Sequence, residues 1–102
     1  MTKSIQIKDL PDFDAAPYLD NEEAIAAYLT DILEARDAGL LAAALGDIAR
    51  ARGMTEIARA AGITREALYK ALRPGSEPRF DTVSRVCDAL GVRIVVQPAH
   101  TA

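Results

Sequence analysis

Six residues, Thr64, Arg65, Glu66, Tyr69, Lys70 and Arg73, have the types and spacing of a surface that exchanges hydrogen bonds with nucleic acid. Arginine presents a planar fork of N–H donors that fits the O6 and N7 acceptors of guanine, and glutamate accepts from the amino group of cytosine. Lysine and arginine farther along suit backbone phosphates, which fix register without reading sequence. At helical spacing these positions fall along one outward side. The expected division is then concrete. Thr64 and Arg65 lead into the groove, Arg65 takes guanine and Glu66 meets a cytosine. Lys70 and Arg73 hold phosphates, joined by Arg79 in the following loop. Tyr69 has three open roles: packing on a thymine methyl, donating its hydroxyl to phosphate, or covering the junction with the last helix. The competing description is an ordinary solvated helix face, so the surroundings decide.

Those surroundings are the stretch Met54–Arg73, reading MTEIARAAGITREALYKALR. Ile57, Ala58 and Ala61 give a first helix a small apolar face, and Gly62 supplies a left-handed turn residue without steric cost. Ile63 fills the corner. Thr64 caps a second helix through its hydroxyl, with Ala67, Leu68, Ala71 and Leu72 directed inward. Two helices crossing steeply over a short turn have room only for a small residue such as Ala58. This is the pattern of a helix-turn-helix, in which the first helix supports and the second reads DNA.

The rest of the chain divides around that unit. Residues 1–19 form an extended arm, in which Ile5 and Ile7 alternate with polar neighbours as in an edge strand and Pro11 and Pro17 interrupt any long element. Asp20 is expected to cap a helix whose acidic first turn suits the positive end of the dipole, with Glu23 placed to reach back. Ile25, Tyr28, Leu29, Ile32 and Leu33 form its inward stripe, ending near Arg36. Asp37 caps a helix over 38–52 with Leu40, Leu41, Ala44, Leu45 and Ile48 inward. Gly46 within it costs about 1 kcal/mol against alanine, for which close approach of a neighbouring helix is the expected compensation. Gly53 stops it. After the loop at 73–78, a helix from Phe80 to about Leu90 turns Phe80, Val83, Val86, Cys87 and Leu90 inward. Val92–Gln97 is β-branched and alternating, and reads as a short strand. A strand needs a partner: the N-terminal strand, a symmetry mate, or another protein. Residues 98–102 are a tail, leaving 20–97 as one domain. The fold class expected is therefore mainly α, a compact helical bundle with a helix-turn-helix and a short terminal β-strand.

Composition bounds the function. At 102 residues the chain suits a single modest core. The net charge of −3 argues against DNA until it is divided. Residues 1–46 carry three cations against nine acids, a net of −6, whereas residues 47–102 carry nine against six, a net of +3. A basic face for DNA and an acidic face for something else is one explanation, and an ordinary acidic surface is the other. No apolar run approaches the ~20 residues of a membrane span, no signal core opens the chain, and the single cysteine fits a reducing cytoplasm. Cys87 and the tail residue His100 are too isolated to bind a metal. Cys87 is expected in the core, not as a nucleophile, no phosphate loop follows a strand, and no cofactor is implied. The chain reads as a non-enzyme.

Three stretches carry a family resemblance: LAAALGDIARARGMTEIARAAGITREALYKAL, then PRFDTVSRVCDALGV, with FDAAPYLDNEEAIAAYL ahead of both. Together they resemble the prophage-type addiction-module antidote proteins, a HigA-like branch of the Xre helix-turn-helix regulators, over roughly residues 10–97. The resemblance implies a lambda-repressor-like helical fold and a cytoplasmic bacterial antitoxin of a type II toxin–antitoxin module. Such a protein represses its own promoter and binds a RelE/ParE-like toxin directly. The family's reading helix falls on Thr64, Arg65, Glu66, Tyr69, Lys70 and Arg73, agreeing with the spacing. A homodimer on two half-sites about 34 Å apart is expected, since one such unit offers few contacts. Toxins of that class are generally basic, which directs attention to Asp12, Asp14, Asp20, Glu22 and Glu23, although these acids equally serve as helix caps and solubilising charge. A stand-alone phage-type transcriptional regulator without a toxin is the alternative function. An interaction module whose helix-turn-helix no longer binds DNA is a third.

Overall fold

The computed structural model describes residues 21–99. Five helices follow one another: α1 (Glu22–Glu34), α2 (Ala38–Arg52), α3 (Met54–Ala61), α4 (Arg65–Ala71) and α5 (Phe80–Ala89). The short α3 is central, packing on α2, α4 and α5, while α1 packs on α2. The core is aliphatic. Ile25, Leu45, Ile48, Leu68, Leu72, Val86 and Leu90 are its largest fully buried side chains, joined by small Ala44, Ala49 and Ala58 where helices approach closely.

Local chemistry sets the boundaries. Asn21 Oδ1 accepts from the Ala24 N–H at 2.7 Å, and Asp37 Oδ1 accepts from the Leu40 N–H at 3.1 Å, each satisfying an otherwise free N-terminal donor. The α1 cap is therefore Asn21, one residue beyond the expected Asp20, which lies outside the described residues. Arg36 takes a left-handed φ of 56° between α1 and α2. α1 consequently stops at Glu34, short of the expected end near Arg36.

Gly46 has the close neighbour expected of it. A Cβ there would stand 3.0 Å from the Leu72 carbonyl oxygen and 3.6 Å from Leu72 Cβ. α2 thus lies against the residue that ends α4, so closely that a side chain at Gly46 would require Leu72 to give way.

Several expectations need correction. Val92–Gln97 is not a strand, and the described residues contain no strand at all. Val92 instead donates its N–H to the Cys87 carbonyl at 2.9 Å as part of the α5 ending. Val92 and Ile94 pack against the core, whereas Val95 and Val96 face solvent. Alternating β-branched residues suit strand geometry but cannot supply the second ladder strand. The proposed N-terminal partner around Ile5 and Ile7 lies outside the described residues, as do His100 and the last two residues of the tail. Phe80, expected inward, is 71% exposed because it occupies the first position of α5 with nothing described above it. Leu33 and Leu40 flank the 35–37 turn and are exposed as well. Ala67 is exposed because the seven-residue α4 has a narrow inward line through Leu68, Ala71 and Leu72.

Candidate nucleic-acid interface

The junction of α3 and α4 is built from backbone hydrogen bonds that its sequence favours. Gly62 adopts φ 77°, the left-handed region, and donates its N–H to Arg59 O at 3.1 Å, while Ile63 donates to Ala58 O at 3.0 Å. This pair of bonds is a Schellman ending, which satisfies carbonyls that the helix would otherwise leave free. Ile63 packs on the core from the next position. Thr64 then caps α4, its Oγ1 accepting from the Ala67 N–H at 3.0 Å. Two helices joined by three residues are held in one relative orientation, and Leu68 and Leu72 anchor the second beneath the surface.

α5 adds a support that sequence reading missed. Arg85 donates from Nη1 to the Ala61 carbonyl at 3.4 Å, pairs with Asp81 at 3.1 Å and lies 3.3 Å from where a Gly62 Cβ would stand. Its guanidinium therefore covers the last turn of α3. The i,i+4 pairing with Asp81 was visible in the sequence, but the contact with Ala61 depends on how α5 crosses α3.

Thr64, Arg65, Glu66, Tyr69, Lys70, Arg73 and Arg79 are all exposed. Glu66, Tyr69, Lys70 and Arg73 line one cleft of about 490 Å³, together with Arg50, Met54, Leu72 and Pro74. Three cations thus border a concave surface beside α4. Arg50 is a second residue the sequence reading did not single out. It is on α2 and pairs with Asp47, so only the crossing of α2 and α4 brings it beside Lys70. Arg79 is not among the residues lining the cleft; it occupies the N-cap position of α5 without a side-chain cap bond.

Tyr69 lies on the exposed side of α4. It is 41% exposed and borders the cleft between α2 and α4. Its ring lies under the Arg65 guanidinium, with the arginine carbon 5.0 Å from the ring centroid. Its hydroxyl accepts from Arg65 Nη2 at 3.2 Å.

Among the acids considered for a protein partner, Asp12, Asp14 and Asp20 lie outside the described residues. Glu22 and Glu23 are exposed in the first turn of α1. Glu22 packs beside Gly91, its Cγ standing 2.8 Å from where a Gly91 Cβ would be. Cys87 is buried in the core. Burial, with a smaller push from Asp88, raises its thiol to about 11, so it remains protonated at neutral pH. No helix among the described residues is long and apolar enough to cross a membrane.

Comparison with known proteins extends the match beyond this site. Residues 9–98 match a family model described as "Probable addiction module antidote protein". An uncharacterised protein of Haemophilus influenzae (strain ATCC 51907 / DSM 11121 / KW20 / Rd) is 50% identical over 95 residues, covering 93% of this chain and 98% of that protein. No solved structure matches.

Proposed function

Because this chain belongs to the family of probable addiction module antidote proteins, we propose that it is the antitoxin of a type II toxin–antitoxin module. In this reading it binds operator DNA through α3 and α4, represses its own operon, and neutralises a RelE/ParE-like toxin by direct contact. The observation that carries the DNA part is the capped three-residue joint between α3 and α4, with Arg65, Glu66, Tyr69 and Lys70 exposed on the second helix and Arg73 exposed just beyond its end. A helix-turn-helix of this shape places the start of its second helix in the major groove. Thr64 and Arg65 then meet base edges, Glu66 follows, and Lys70 and Arg73 take phosphates, with Arg79 offering a further cation from the adjoining loop. As in the HigA-like Xre regulators it resembles, the protein acts as a homodimer on two half-sites.

The toxin contact rests on charge. A basic toxin would find Glu22 and Glu23 exposed at the start of α1, next to Asp12, Asp14 and Asp20 in the sequence. Because the basic residues gather in the other half, one molecule can serve both partners with different surfaces.

The test has two arms. In a gel shift with the promoter upstream of its own gene, Arg65→Ala should weaken binding by roughly 1–3 kcal/mol and blur preference at one base pair, while Lys70→Ala should weaken all DNA about equally and flatten the salt dependence. Unchanged binding by both variants refutes the DNA reading. Co-expression with the adjacent small reading frame, followed by pull-down, should recover a complex. A protein that binds promoter but retains no neighbour product is instead a stand-alone transcriptional regulator.

A further inference from the structure

The geometry points to Tyr69 as a positioning residue for Arg65, a role that rests on the DNA reading above. Arg65 is the first residue of α4 and Tyr69 lies one turn on, on the same side of the helix. Two contacts join them: the guanidinium stacks over the ring at 5.0 Å, and Nη2 donates to the phenolic oxygen at 3.2 Å. Stacking restricts the plane of the fork and the hydrogen bond restricts its rotation within that plane. Neither restriction alone would orient the group.

The chemistry of the pair leaves its recognition capacity intact. A guanidinium has five N–H donors, so one bond to the phenol leaves the others for a bidentate contact. A phenol meets the arginine as a hydroxyl dipole, so it orients the group without neutralising it as a carboxylate would. The two ion pairs among the described residues, Arg50 with Asp47 and Arg85 with Asp81, do not involve Arg65. The ring borders the cleft that Met54 and Leu72 also line and is less than half exposed. A long side chain thus surrenders part of its rotamer freedom before DNA arrives, which lowers the ordering cost at binding. Specificity follows from the same restriction, because a fork held in one orientation fits the two acceptors of guanine better than other base edges.

Arg65→Ala, Tyr69→Ala, Tyr69→Phe and the double alanine variant test this in the full chain. Binding to the promoter duplex and to a shuffled duplex is followed by fluorescence anisotropy at one salt concentration, with circular dichroism as a check on folding. Tyr69→Ala should weaken promoter binding about three- to tenfold and shuffled-duplex binding by less than about twofold. Tyr69→Phe, which keeps the ring and loses the hydrogen bond, should fall between. In the Arg65→Ala background, Tyr69→Ala should cost nothing more, since the residue it positions is gone. The same loss in both backgrounds overturns the inference, because Tyr69 would then touch DNA itself. Tighter binding by Tyr69→Ala also overturns it, showing that the pair holds Arg65 away from DNA. No change shows the pair to be idle. If the unsubstituted protein does not bind the promoter, the DNA reading itself fails; if it binds and Arg65→Ala leaves that binding intact, the base contact given to Arg65 fails and the inference with it.

Discussion

Gly46→Ala sets helix propensity against packing. In an exposed helix interior the change is worth about 1 kcal/mol of added stability, since alanine loses less conformational entropy than glycine. Here the new methyl would stand 3.0 Å from the Leu72 carbonyl oxygen, 3.3 Å from Arg50 Nη1 and 3.6 Å from Leu72 Cβ. Arg50 is exposed and its guanidinium can move aside. Leu72 cannot, being 1% exposed and donating its N–H to Leu68 O at 3.0 Å. Relief therefore requires α4 to shift against α2 by a few tenths of an ångström or more. Overpacking of this kind costs about 1–3 kcal/mol. Against the propensity gain, the expected net effect is destabilisation by up to about 2 kcal/mol, centred near 1 kcal/mol. Urea denaturation reads this directly, as a lower midpoint with unchanged slope. In a thermal melt, a loss of 1 kcal/mol would lower Tm by about 4–8 °C. A Gly46→Ala protein that is more stable by about 1 kcal/mol would show that propensity alone governs the site, refuting the packing argument.

Two further outcomes follow from the same geometry. Thr64→Ala removes the oxygen that caps Ala67 and should destabilise the fold by about 1 kcal/mol; Thr64→Ser should restore most of that in the same denaturation assay. Cys87, with its thiol raised from 9.0 to about 11, should label slowly with a thiol-specific reagent at pH 8 until the protein is unfolded. The folded state holds this proton more tightly than the unfolded state, so the contribution is intact below about pH 9 and is lost as pH rises toward 11. A Cys87→Ala variant should flatten that part of the stability–pH curve, and rapid labelling of the native protein would contradict burial as the cause.

Much of the helix plan was legible in the sequence because its signals are local. Asp37 and Thr64 cap the helices expected of them, and Gly62 takes the expected left-handed turn. Asn21 displaced Asp20 as the α1 cap because two cap-competent residues stand side by side and only hydrogen-bond geometry separates them. What failed depends on neighbours. Phe80 has the hydrophobicity and spacing of a core residue but stands at a helix start, and Val95 and Val96 have strand character with no described partner. At the candidate site, exposure of the α4 residues followed from periodicity. The involvement of Arg50 and Arg85 did not, since both act across helix crossings. The pairing of Arg65 with Tyr69 was implicit in an i,i+4 spacing, though Tyr69 had stronger apparent roles.

The joints between helices also differ in how much length they can absorb. Gly53 alone separates α2 from α3, and residues 62–64 separate α3 from α4, whereas residues 72–79 lie between α4 and α5. Each residue added within a helix turns everything after it by about 100°, and a joint of one residue has almost no slack to correct such a rotation. An insertion at Gly53 would therefore turn α3 and α4 together away from their seats on α2, while the same insertion at 72–79 could bulge into solvent. Over evolutionary time, the chain can vary its length in that loop far more readily than anywhere between Ala38 and Ala71.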